Sequence, residues 1–208
     1  MNKEERIANK ISILLNFFLV SIYAFVYYML LMVEYNGYKN SAAIFIKSIT
    51  LYILVSCLSP LFILYILNNN SYVNIRENAK KSNITYIVIS ISYIVSYQYF
   101  SMLNISAWFN IGLLIPFVST IVVLIFKSKL KLFLDIIVMA AITSYSLILT
   151  IEYSYIFSIY PFLLSILLSG LLLYSYQITK KCTPKETLNN YIIGCFVTIF
   201  TIFWVLLL

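Results

Sequence analysis

The side chains able to do chemistry are mostly cations, and they come in clusters. Arg76, Lys80 and Lys81 form one, Lys127, Lys129 and Lys131 a second, Lys180, Lys181 and Lys185 a third, and Lys3, Arg6 and Lys10 stand ahead of them all. Ammonium and guanidinium groups bind phosphate and other oxyanions by charge-assisted hydrogen bonds, so these clusters suggest anion recognition. Catalytic groups are scarce by comparison. The chain has no histidine, which removes the commonest general base, the commonest transition-metal ligand and every Ser/His or Cys/His pair. Cys57, Cys182 and Cys195 show no CxxC or other ligand spacing, so no zinc site, disulfide framework, metal or cofactor is expected. Without a P-loop, GxSxG, HExxH or acidic calcium loop, NTPase, hydrolase and metalloprotease readings have no motif behind them.

Two charges lie inside apolar stretches. A carboxylate at Asp135 costs a few kcal/mol in hydrocarbon unless it is paired or wet. Its spacing from Lys131 predicts an i,i+4 pair near a helix start. Lys47 is expected to anchor a helix by reaching the sparsely charged surface near Glu152 or Glu34. Asn16 and Gln98 are expected to hydrogen-bond between helices.

The elements that must hold these residues follow from composition. Of 208 residues, 62% are hydrophobic and 10% charged, whereas a soluble domain carries about a quarter charged residues. About 20 apolar residues span the hydrocarbon layer, and apolar runs of that kind predict helices near 11–33, 42–67, 84–103, 111–126, 132–151, 156–178 and 191–208. The run at 111–126 is short and is expected to extend back through Ala107, Trp108 and Phe109; without it six helices remain. The expected fold is an all-α polytopic transmembrane bundle of about seven helices, forming one domain over residues 1–208. Beta-prone Ile, Val, Tyr and Phe do not alter this, because only a helix satisfies its own backbone groups in lipid. The first run is too long for a signal-peptide core and is expected to stay attached as a helix.

Every second connection is basic. The intervening ones hold Glu34 with Lys39, then no charge across residues 104–110, then Glu152 alone. Seven crossings put all the basic clusters on one side. The positive-inside rule would make that side cytoplasmic, in a bacterial inner membrane, with the N-terminus inside and Leu208 outside. A second explanation has the basic connections converging on one mouth of the bundle to hold an anion, and it allows the opposite orientation. The net charge of +7 is split among clusters separated by membrane-spanning helices, so the expected partner is the bilayer and an anionic or phosphorylated lipid, not nucleic acid. The 19 tyrosines and 15 phenylalanines suit membrane interfaces and bundle cores better than a cofactor box.

Several stretches carry a family resemblance. The opening Arg6-Ile-Ala-Asn-Lys-Ile-Ser-Ile-Leu-Leu-Asn16 with Tyr23-Ala-Phe25, then Lys80-Lys81-Ser-Asn-Ile-Thr-Tyr86, then Ser169-Gly170-Leu-Leu-Leu, Cys182-Thr183-Pro184-Lys185-Glu186 and Tyr191-Ile-Ile-Gly194 resemble, in layout, the membrane branch of the type 2 phosphatidic acid phosphatase superfamily, especially its short hydrophobic versions from Bacteroidetes. In that family a histidine attacks phosphorus, a second histidine moves protons, and basic residues neutralise the phosphate oxygens. Aligned by the resemblance, the nucleophile position falls on Cys182, the other histidine position on Lys131 and the motif arginine near Tyr176. Both histidines are lost, so the resemblance implies a non-catalytic lipid-phosphate binder or scaffold. A membrane subunit of a transporter or exporter, with a protein partner, is the second reading. The third is a lipid phosphatase using replacement residues, with Cys182 as a thiolate beside Lys180, Lys181 and Lys185.

Overall fold

Hydrocarbon offers no water to backbone amides, so a membrane segment must close its hydrogen bonds internally. The computed structural model describes residues 3–16, 19–26, 42–67, 83–102, 107–153 and 156–207, and the regular structure among these is entirely helical. The helices are α1 (Lys3–Leu14), α2 (Ala42–Ile53), α3 (Ser59–Leu67), α4 (Asn83–Ser101), α5 (Ala107–Phe126), α6 (Leu134–Tyr153), α7 (Ile156–Ile178) and α8 (Pro184–Leu207). A single π-helical stretch, Leu54–Leu58, joins α2 to α3. Leu19–Val26 is also helical. Three stretches are long and apolar enough to cross a membrane: Leu134–Glu152, Ile159–Ile178 and Pro184–Val205. A fourth follows if Glu4–Leu14 and Leu19–Val26 form one bent span, and Lys47–Ile63 and Asn110–Phe126 are shorter apolar helices.

The bundle is organised around α6, which packs against α5, α7 and α8. Its successive residues Ile136, Ile137, Val138, Met139, Ala140 and Ala141 are all buried, and a helix apolar on every side belongs at the centre. Accordingly 61% of its apolar stretch is buried inside the protein, against 28% in α7 and in α8. The α6–α8 crossing is made by small residues. A Cβ added at Gly194 would lie 2.6 Å from the Ala140 Cβ and 3.1 Å from the Ala141 nitrogen, and would collide with the Ile137 carbonyl oxygen. Close approach of this kind is the usual basis of helix association in lipid. It also lets Thr198 donate to the Ala141 carbonyl at 2.7 Å and Ser144 to the Cys195 sulfur at 3.1 Å. On the far side, Ser90 and Thr120 bridge α4 and α5 at 2.7 Å.

The interhelical polar bonds thus fall to residues other than those expected. Gln98 is exposed. Asn16 accepts from the Leu19 amide at 3.1 Å and so caps the following helical segment. The helix expected across residues 11–33 is interrupted there: α1 ends at Leu14, and the axes of Glu4–Leu14 and Leu19–Val26 differ by 54°. The last helix begins at Pro184, earlier than the expected 191, for a capping reason given below.

Candidate functional site

Three local devices bring the polar residues together at one end of the bundle. The first ends α7. Lys180 has a left-handed backbone, with φ of 51°, while its amide donates to the Gln177 carbonyl and the Lys181 amide to the Tyr176 carbonyl, both at 3.0 Å. This 6→1 and 5→2 pair is a Schellman motif with a lysine where glycine is usual. The reversal turns Lys181 back over its own helix. Its ammonium lies 5.2 Å from the centre of the Tyr176 ring and donates to Ser12 Oγ at 2.9 Å and Asn9 Oδ1 at 3.5 Å, joining α1 to the end of α7.

The second device begins α8. Thr183 is the N-cap, Pro184 takes the first helical position and Glu186 the third. The Thr183 amide donates to Glu186 Oε2 at 2.8 Å and the Glu186 amide to Thr183 Oγ1 at 3.3 Å, a reciprocal capping box. A helix N-terminus commonly receives anions, but here the Glu186 carboxylate already sits on it. That carboxylate also pairs with Lys131 at 3.2 Å.

The third device begins α6. Buried Asn190 accepts from the Phe133 amide at 2.7 Å and donates to the Lys131 and Glu186 carbonyls at 3.1 and 2.7 Å. One side chain on α8 thereby fixes the connection ahead of α6. Asp135, in the first turn of α6, accepts a hydrogen bond from the Tyr176 hydroxyl. Its position also suits the positive end of the helix dipole. The Phe133 ring meets the Tyr176 ring edge-on at 5.5 Å, and Lys127 lies 4.7 Å from the centre of the Tyr86 ring at the start of α4. Partial burial lowers the pKa of the Lys127 ammonium.

The pairing expected between Asp135 and Lys131 is replaced. Lys131 precedes the helical residues of α6, so helical spacing does not bring it over Asp135; it engages Glu186, and Tyr176 serves Asp135. Cys182 is no exposed loop thiol: it is buried, with its sulfur 2.9 Å from Thr187 Oγ1. The three positions aligned with phosphatase residues, Lys131, Tyr176 and Cys182, therefore carry an ion pair, a hydrogen bond to a carboxylate and a packed thiol. Lys47 is exposed at the start of its apolar stretch. Arg76, Lys80 and Lys81 lie outside the described residues.

The remaining basic side chains divide by what they touch. Lys127, Lys131 and Lys181 turn onto rings, a carboxylate or polar side chains, while Lys129, Lys180 and Lys185 are exposed and have no hydrogen-bond or ion-pair partner among the described residues. Sequence reading missed Asn190, Ser12, Asn9 and Tyr86. A buried asparagine in an apolar helix was the available signal for Asn190, and the Thr-Pro-Lys-Glu spacing was the available signal for the capping box. Chemically, the described residues offer paired and exposed cations at one end of the bundle. Comparison with protein families, curated proteins and solved structures finds no match to this chain.

Proposed function

We propose that this chain is a multi-pass membrane protein of about seven crossings, with its N-terminus on the cytoplasmic side of a bacterial inner membrane, which binds the headgroups of anionic or phosphorylated lipids without catalysis. In this reading it is a degenerate relative of the type 2 phosphatidic acid phosphatases. The observation that carries the lipid reading is the meeting of five segments at one end. α1 joins α7 through Lys181, the start of α4 joins the following helix pair through Lys127, and the connection ahead of α6 joins α8 through Lys131 and Asn190. Exposed Lys129, Lys180 and Lys185 belong to the same end. Lys127 and Lys181 turn onto rings and polar side chains, and exposed Lys129, Lys180 and Lys185 meet the headgroup. The non-catalytic part of the proposal rests on the missing histidines and the packed position of Cys182.

Each lysine near an anionic surface contributes about 1 kcal/mol, so replacing three weakens binding by roughly a hundredfold. The test is lipid mass spectrometry on protein purified in mild detergent, comparing the unaltered chain with the triple variant Lys129→Gln, Lys180→Gln, Lys185→Gln. Anionic lipid should be lost from the variant while zwitterionic lipid is kept. Unchanged retention would mean that these charges serve topology alone. In parallel, phosphate release from phosphatidic acid and undecaprenyl pyrophosphate should be nil. Release that disappears with Cys182→Ser would overturn the non-catalytic reading.

A further inference from the structure

α1 does not behave as the start of an upright membrane helix. It has 12 residues, about 18 Å of helix against a hydrocarbon layer of roughly 30 Å. It contains Lys3, Glu4, Glu5, Arg6 and Lys10, charges that are expensive in hydrocarbon. Yet its exposed surface is not that of a water-facing helix. Ile7, Ile13 and Leu14 are 50%, 44% and 58% exposed, in a helix whose Ala8 and Ser12 are buried. Ile7 and Leu14 are seven residues apart and share one line along the helix; Arg6 and Lys10, both exposed, are four apart and lie beside it, and Ile13, seven residues from Arg6, flanks them on the other side. The helix packs on α7 and is tied by Ser12 and Asn9 to Lys181, next to exposed Lys180. Its axis differs by 54° from that of the Leu19–Val26 segment that follows.

From this we infer that α1 is an interfacial helix: it lies in the plane of the bilayer surface at the basic end of the bundle, with Ile7 and Leu14 dipped to the acyl boundary and Arg6 and Lys10 on anionic phospholipid headgroups. A helix whose exposed face sets basic side chains between apolar ones fits that boundary, with the long basic stems reaching up to the headgroups. Exposed Lys180, beside Lys181, continues its charge. This rests on the membrane reading of the chain, but not on lipid being held specifically by those three lysines.

The depth of two side chains tests it. Ile7→Cys and Leu14→Cys, labelled with an environment-sensitive fluorophore, are reconstituted as full-length protein in nanodiscs of phosphatidylcholine with phosphatidylglycerol, with the unaltered chain as the labelling blank. Quenching by lipids brominated at different acyl positions then gives depth. An in-plane helix puts both labels at one shallow depth, whereas an upright helix separates them by about 10 Å. A separation of that size, or a label at Ile7→Cys that no lipid quencher reaches, overturns the inference. If the depths are equal but do not change when phosphatidylglycerol is left out, the anionic part is overturned and the in-plane part stands. The unaltered chain gives an independent check: trypsin cleavage after Arg6 and Lys10 should be slower in anionic than in neutral discs, and equal rates refute the headgroup contact. Loss of α1 depth and loss of lipid retention in the Lys129, Lys180, Lys185 variant are separate readings, so either proposal can fail alone.

Discussion

Gly194→Ala should be among the most damaging single-methyl additions in this bundle, and Gly170→Ala one of the most harmless. Both glycines lie within helices, α8 and α7, so each replacement gains the same helix propensity, up to about 1 kcal/mol. They differ in what the new methyl meets. At Gly170 nothing lies within 4 Å; at Gly194 the Ala140 Cβ would lie at 2.6 Å and the Ala141 nitrogen at 3.1 Å, and the Ile137 carbonyl oxygen would be struck. Two of these three atoms are backbone, so no rotamer change relieves the clash and α8 must move off α6. Overpacking of this sort costs about 1–3 kcal/mol. The shift also stretches the 2.7 Å bond from Thr198 to Ala141 and the 3.1 Å contact from Ser144 to Cys195, each worth about 0.6 kcal/mol in a membrane interior. The difference between the two variants, in which propensity cancels, is therefore about 3 kcal/mol. Equilibrium unfolding of the purified protein in mixed micelles, followed by circular dichroism against the mole fraction of denaturing detergent, measures it. Two variants within about 0.5 kcal/mol of each other would refute the close crossing of α6 and α8.

Four further outcomes follow from the site. Lys180→Gly should raise stability by about 1 kcal/mol, because glycine adopts the left-handed conformation at φ of 51° without the Cβ penalty, and Lys180→Val should lower it; the same micelle unfolding reads both. Thr183→Ala removes the hydroxyl that accepts from the Glu186 amide at 3.3 Å and should cost about 1 kcal/mol, with faster hydrogen exchange confined to the first turn of α8. By contrast Lys131→Gln, whose side chain is 60% exposed, should leave the unfolding midpoint unchanged and so show that the cap, not the ion pair, sets the start of α8. Tyr176→Phe deletes the hydrogen bond to the Asp135 carboxylate and should cost about 1.5–3 kcal/mol; combining it with Asp135→Asn should cost less than the sum of the two single changes, which a double-mutant cycle detects.

Sequence reading succeeded on the class of secondary structure. Excess apolar length and scarce charge required helices whatever the local propensities, and the helical character of the Ile-, Val- and Tyr-rich segments follows from that alone. The same reading went wrong where one residue had several uses. Asn16, read as an interhelical bond, caps a helical segment because the chain bends beside it. Asp135 and Lys131 have the spacing of a helical pair, but Lys131 stands ahead of the helix, and linear spacing means nothing outside a helix. The Thr-Pro-Lys-Glu stretch forms a capping box that starts α8, a use its residues were not read for.

What the sequence determined, then, is the secondary structure: a chain that is 62% hydrophobic and 10% charged forms helices, three of them long and apolar enough to cross a membrane. What only the tertiary structure decided is which partner each polar group finds. Tyr176 and Asp135, Asn190 and Phe133, and Lys181 and Ser12 lie 41, 57 and 169 residues apart. No local rule reaches across such distances. Asn190 reaches Phe133 with α8 lying close against α6 at Gly194, Lys181 reaches Ser12 through the left-handed turn at Lys180, and Tyr176 reaches Asp135 because α7 packs on α6.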